Sequence, residues 1–183
     1  METLENKNIY LCGFMGAGKS AVAKRLGQKL GREYLDIDRE LEKLENKKIA
    51  DLFAQKGEPY FRRLEEEMID WASRSKRRVI SLGGGALLPE KNRQKISCSG
   101  ILVWLSASPQ VLLDRLSKSY LRPLLKPEWA GPEGRVSESF LVFLAEREKE
   151  YRKAEFQFST DGKTADQTAE EIFAVFKEKF GLA

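Results

Sequence analysis

Residues 13–20 read GFMGAGKS, and this octapeptide decides the fold. The stretch before it, Asn8 to Cys12 (NIYLC), is apolar and β-prone. The stretch after it, AVAKRLGQKLG, sets Val22, Leu26 and Leu30 at helical spacing and places Gly31 to end the helix. A strand–loop–helix junction of the form G-x-x-x-x-G-K-[ST] is a phosphate-binding loop. Gly13, Gly16 and Gly18 let the backbone curl until successive N–H groups face one anion. Lys19 brings a full positive charge, and the helix N-terminus adds a partial one. Ser20 offers a hydroxyl to the Mg²⁺ that travels with a nucleoside triphosphate.

At 183 residues the chain is sized for one domain with a substantial core. Its net charge of +4 suits anionic ligands such as nucleotides but is too small and too dispersed for nucleic acid. The densest basic run, RSKRR (Arg74 to Arg78), reads as a solvated helix C-terminus. The sequence has no histidine, and Cys12 and Cys98 lack metal or disulfide spacing. That excludes the usual zinc sites and every His-dependent catalytic dyad. Cys12, within the first strand, reads as a small buried hydrophobe. No apolar run is long enough for a membrane span or a signal peptide, so a cytoplasmic protein without membrane or nucleic-acid partners is expected.

Strand signals at Ile9–Cys12, Tyr34–Ile37, Val79–Leu82, Ile101–Leu105 and Phe156–Ser159 alternate with helical ones. The helices include Phe61–Trp71, with Phe61, Leu64, Met68 and Trp71 on one face, and Pro109–Leu116, with Ser108 as its cap. Ser137–Tyr151 and about Asp166 to Phe180 complete the set. This alternation predicts an α/β fold with a five-stranded parallel sheet wrapped by helices. One segment, LRPLLKPEWAGPEGR (Leu121 to Arg135), has neither period and carries Pro123, Pro127, Pro132, Gly131 and Gly134. A connection of that kind is either a lid or a surface excursion.

In YLDIDRE, Asp36 and Asp38 close the second strand, and period two puts both carboxylates on one face toward the ligand crevice. The alternative is that Asp38 caps a helix starting at Arg39. SLGGGA (Ser81 to Ala86) ends the third strand in three glycines, which fits close approach by a ligand or a tight connection. Arg62 stands three residues from Glu65 and four from Glu66, a spacing that a surface ion pair also satisfies. Arg147 lies among acids in AEREKEY, and spacing alone gives neither arginine a role.

In this order, GFMGAGKS, YLDIDRE, IADLFAQKGEPYFRRLEEE, ISLGGGA, LRPLL and REKEY resemble the shikimate kinase family across nearly the whole chain. The family belongs to the nucleoside-monophosphate-kinase-like P-loop fold. The resemblance implies one three-layer P-loop kinase domain over residues 1–183, with a mobile lid at about 121–135 and acceptor-binding helices within about 39–72. It implies transfer of the ATP γ-phosphate to the 3-hydroxyl of shikimate by a monomer. Gly16, Ala17, Gly18, Lys19, Ser20 and Ala21 would hold the ATP phosphates, with Ser20 on Mg²⁺ directly and Asp36 on it through water. Asp38 would bind the acceptor hydroxyls and serve as base, and Lys19 and Arg122, the latter from the lid, would act on the phosphates in catalysis. Arg62 and Arg147 would grip the shikimate carboxylate, Gly84 and Gly85 would give backbone contacts, and Phe53 and Phe61 would flank the ring. Arg115 would lie against adenine.

The chain departs from the family pattern in Lys149, which replaces the proline of R-x-P-x-Y, in an adenine-side loop without proline, and in a longer lid. A gluconate- or nucleotide-type kinase of the same fold is the near rival, and a non-catalytic nucleotide switch the distant one. The switch lacks its motifs, since NKKI at Asn46 fails the last position of N-K-x-D and no D-x-x-G occurs. Paired arginines with D-x-D favour a hydroxylated carboxylic acid over a nucleobase.

Overall fold

Residues 4–118 and 127–182 are described by a computed structural model. Strand β1 (Asn8–Cys12) is buried at every position. Both of its faces are therefore covered, the environment of a central strand in a parallel sheet. With β2 (Glu33–Asp36), β3 (Arg78–Ser81), β4 (Gly100–Ser106) and β5 (Phe156–Ser159) it forms a sheet of order β2-β3-β1-β4-β5. Every pairing is parallel. Each expected strand is present to within about one residue at either end.

Parallel neighbours need crossovers, and helices supply them. They are α1 (Lys19–Leu30), α2 (Ile37–Glu45), α3 (Ile49–Arg74), α4 (Glu90–Ser99), α5 (Pro109–Ser117), α6 (Glu138–Tyr151) and α7 (Ala165–Phe180). α1 packs on α7 and α3 on α4. Gly31 closes α1 in the left-handed region at φ 60°, the conformation a glycine adopts without steric cost. Register sets Asp36 beside Ser81 and Ser81 beside Leu11, so the carboxyl ends of β2, β3 and β1 open onto one place.

Several local expectations are corrected. Chain direction changes at Asp36, one residue earlier than expected: Asp36 accepts the Arg39 N–H at 3.1 Å and is itself the cap of α2. Asp38 therefore belongs to the first helical turn, and neither the shared strand face nor the capping role of Asp38 holds. Trp71 does not share the buried face of α3; it is 51% exposed and stacks under Arg78. The buried positions are Leu52, Phe61, Leu64, Glu65, Ile69 and Ala72. Ser108 occupies the cap position of α5 without a side-chain hydrogen bond, and its N–H donates instead to Asp161. Helix α4 gave little signal because only Asn92 and Ile96 of its ten residues are buried.

Arg122 and the first part of the expected lid lie outside the described residues. The second part is not structureless. It forms 3-10 turns at Pro127–Trp129 and Pro132–Gly134, joined by an Ala130–Val136 bridge. Trp129, 3% exposed, packs against Phe14, Phe140 and Phe143 with ring centroids 6.0, 5.2 and 5.2 Å away. This cluster fastens α6 and the incoming turn to the phosphate loop. Trp129→Ala should cost about 3–5 kcal/mol in urea unfolding, the usual range for a buried aromatic truncated to alanine. A loss below about 1 kcal/mol would show that the cluster does not hold the segment.

Candidate active site

The phosphate loop takes its shape from its glycines: Gly16 and Gly18 stand at φ 84° and 89°, where a side chain would be strained. Helix α1 begins at Lys19 with no side-chain cap and no acid in its first turn, so its orphan N–H groups and dipole remain available to an anion. Lys19 is buried, with Nζ donating to the Phe14 carbonyl at 3.0 Å. Ala17 is buried as well, and its N–H is spent on the same Phe14 carbonyl at 3.1 Å. Ala21 lies exposed in the first turn of α1.

Beside the loop, four oxygen-bearing side chains line the ends of β2 and β3. Ser20 Oγ lies 3.4 Å from Ser81 Oγ. Tyr34 donates to Asp36 Oδ2 at 2.9 Å while Asp36 Oδ1 caps α2, so both carboxylate oxygens are oriented. Burial and the neighbouring carboxylate raise the Tyr34 phenol, which keeps it a donor. This is a hard-oxygen donor set of few protein ligands, of the kind Mg²⁺ accepts when it keeps most of its water and binds phosphate.

The glycine turn after β3 forms the opposite wall. A Cβ at Gly83 would come 2.6 Å from Glu65 Oε1 and 2.8 Å from Asp38 Oδ1. One at Gly85 would come 2.6 Å from both terminal nitrogens of Arg62. The bare backbone is thus required by the side chains of the site itself. Arg62 is no surface pair. It donates to Glu65 Oε2 at 2.6 Å, and Glu65 is fully buried; only its second partner, Glu58, is exposed. Arg147 lies over the Phe143 ring at 4.9 Å. Among the described residues, Glu65 Oε1 and Arg147 Nη1 are buried without a hydrogen-bond partner. Phe53 and Phe61 stack 4.7 Å apart beside Arg62.

Asp38 and Arg62 therefore pack against the Gly83–Gly85 turn next to the phosphate loop, and Arg147 lies close enough to act on the buried Glu65 carboxyl. Arg115 stands elsewhere, clamping the loop to the end of β5. It donates to Gly16 O at 3.3 Å, Thr160 Oγ1 at 2.9 Å and Thr160 O at 2.7 Å. Glu65, Tyr34, Ser81 and Tyr151 were not anticipated as parts of the site. Tyr34, Ser81 and Tyr151 stand inside the motifs YLDIDRE, ISLGGGA and REKEY without a role assigned to them, and Glu65 was marked by its spacing of three residues from Arg62. Cys12 is inert, burial having pushed its thiol up to about 12.

A family model for shikimate kinase matches residues 15–177. The shikimate kinase of Persephonella marina is 42% identical over 91% of this chain and 96% of its own. That of Thermodesulfovibrio yellowstonii is 39% identical over 93% of this chain and 95% of its own. Among solved structures, shikimate kinase from Acinetobacter baumannii in complex with shikimate superposes with a TM-score of 0.81 at 32% identity, covering 95% of each chain.

Burial raises the Glu65 carboxyl above its ordinary 4.5; Arg62 opposes the rise and Asp38 adds to it. From pH 4.5 upward to that raised value the folded chain holds a proton at Glu65 that the unfolded chain has released. Stability therefore falls as pH climbs through that window, and Glu65→Gln removes the effect. Urea midpoints of the unmodified protein should drop relative to those of Glu65→Gln as pH rises from about 4.5 to 7. Parallel curves would show that Glu65 titrates normally.

Proposed function

This chain belongs to the shikimate kinase family, and from that premise we propose how its residues transfer the ATP γ-phosphate to the 3-hydroxyl of shikimate. The observation that carries the acceptor assignment is the pair of unpartnered buried polar atoms, Arg147 Nη1 and Glu65 Oε1, beside the phosphate loop. Buried polar atoms cost free energy until something bonds them, and a carboxylate with ring hydroxyls supplies the matching groups. Arg62 and Arg147 take the carboxylate, planar guanidinium against planar acid. Gly84 and Gly85 contribute backbone, and Phe53 and Phe61 border the ring.

Asp38 orients the acceptor hydroxyl and accepts its proton as the oxygen attacks in line. Gly16 to Ala21 hold the triphosphate, and Lys19 leaves the Phe14 carbonyl to place its charge on the transferring group. Mg²⁺, when bound with ATP, neutralises charge on the phosphates; the Ser20 hydroxyl would hold it directly and Asp36 through water. The fit rests on the oxygen donors Ser20, Ser81 and Asp36 clustered at the strand ends. Arg115 borders adenine from its clamp on Thr160, and Arg122, outside the described residues, is assigned to the phosphates by the family resemblance alone. The chain acts as a monomeric, cytoplasmic single-domain enzyme without membrane or nucleic-acid partners. No described helix is long and apolar enough to cross a membrane.

With ATP and a panel of shikimate, gluconate and nucleoside monophosphates, a coupled assay should register turnover with shikimate alone. Lys19→Met should lower kcat by about 10²–10³ with the melting temperature unchanged. Near-normal turnover by that variant would overturn the role of the loop. Arg147→Ala should raise the KM for shikimate at least about thirtyfold, the lower end for one lost partner of a buried charge pair, and leave the KM for ATP unaltered. An unchanged acceptor KM would contradict the carboxylate role.

A further inference from the structure

Tyr151 ends α6 and is 2% exposed, yet nothing in the phosphate or acceptor chemistry uses it. Its hydroxyl donates to the Gly84 carbonyl at 2.5 Å across 67 residues of sequence. Burial raises the phenol well above its ordinary value, so it stays protonated and remains a donor. Gly84 lies between two elements: a Cβ there would come 3.7 Å from the Met15 amide of the phosphate loop and 3.8 Å from the Tyr151 hydroxyl. Phe143, Arg147 and Tyr151 follow one another at one-turn intervals and share a stripe of α6. At one end of that stripe Phe143 meets Phe14 of the phosphate loop at 5.9 Å. At the other, the Tyr151 ring meets Trp104 of β4 at 6.2 Å.

We propose that Tyr151 is a positioning residue for the acceptor, its hydroxyl fixing the distance between Arg147 on α6 and the Gly83–Gly85 turn that Asp38 and Arg62 pack against. The proposal rests on the reading of Arg62 and Arg147 as the carboxylate pair. A fork of two guanidiniums on different elements, α3 and α6, recognises a carboxylate only if those elements keep their spacing. Arg62 is referenced to the turn through Gly85, and Arg147 is referenced to it through Tyr151, one helical turn away on the same stripe. Without the hydroxyl, α6 stays docked by its aromatic cluster, but the turn is no longer tied to it.

The test compares Tyr151→Phe, Trp104→Phe and Arg147→Ala by steady-state kinetics with ATP and shikimate, each variant checked for its melting temperature. Tyr151→Phe keeps the buried ring and removes only the hydroxyl. It should raise the KM for shikimate about tenfold, as loss of one hydrogen bond predicts, change kcat less, and leave the KM for ATP within twofold. Trp104→Phe perturbs packing around the same ring and should leave the shikimate KM within twofold of the unmodified protein. An unchanged shikimate KM in Tyr151→Phe, with Arg147→Ala impaired, would overturn the proposal and leave the acceptor site standing. Equal effects of Tyr151→Phe and Trp104→Phe on that KM would assign the effect to packing and overturn it too. Unchanged shikimate binding in Arg147→Ala would overturn the carboxylate reading and this proposal with it. Should Tyr151→Phe not fold, the unmodified protein still decides. A Tyr151 hydroxyl proton protected from exchange in NMR supports the bond, and a freely exchanging one overturns it.

Discussion

Gly83 and Gly85, at either end of the turn after β3, leave no room for a side chain, because the space a Cβ would fill already holds Glu65 and Asp38 at the first and Arg62 at the second. That steric constraint fixes the rest of the site. It lets α2 and α3 bring a carboxylate, a buried acid and a guanidinium against the end of β3. It also leaves the Gly84 carbonyl open to Tyr151 from α6. The phosphate loop follows β1, the next strand over, so the sheet order sets the acceptor wall beside the donor wall. Strand ends at a switch in sheet order are where α/β proteins collect their ligands, and here three of them contribute.

Charge is distributed differently on the two sides of the site. On the phosphate side the field is positive and largely made of backbone: the uncapped start of α1, and Lys19 held in reserve on the loop's own carbonyl. On the acceptor side opposite charges are paired at close range inside the protein, Arg62 with Glu65. Removing a partner from such a pair costs far more than removing one from a surface pair, which makes the cluster sensitive to single substitutions. Glu65 holds Arg62 in position, while Arg147 Nη1 is buried without a hydrogen-bond partner, the feature on which its proposed carboxylate contact rests. Phosphoryl transfer asks for placed charges more than for covalent groups, and the absence of histidine from the sequence is no obstacle to it.

Much of this was legible in the sequence because some residues are dictated by backbone geometry. Glycines at positive φ before a lysine and a helix leave few alternatives, and the five strands follow from apolar runs between helical periods. Asp36 and Asp38 were misread for a physical reason. Period two holds only while the strand lasts, and the cap formed by Asp36 ends β2 before Asp38 is reached. Asp38 still meets the site, from a helical turn. Arg62 was ambiguous because an i,i+3 spacing is the same whether its glutamate is solvated or fully buried. Tyr34 and Tyr151 stand in the quoted motifs YLDIDRE and REKEY, but their partners were not legible, since a phenol's partner is set by tertiary packing that no local pattern encodes. The kink in α3, at Gly57 with φ 78°, hid the first half of that helix in the same way, by interrupting its period.

The measurement that bears most directly on the acceptor site is calorimetric binding of shikimate and of its carboxamide to the nucleotide-free protein. The two ligands share ring and hydroxyls and differ in the charged group that Arg62 and Arg147 would hold. The carboxamide should bind at least about thirtyfold more weakly, as loss of one charge from a buried charge pair predicts. Equal affinities would contradict a site built around a carboxylate.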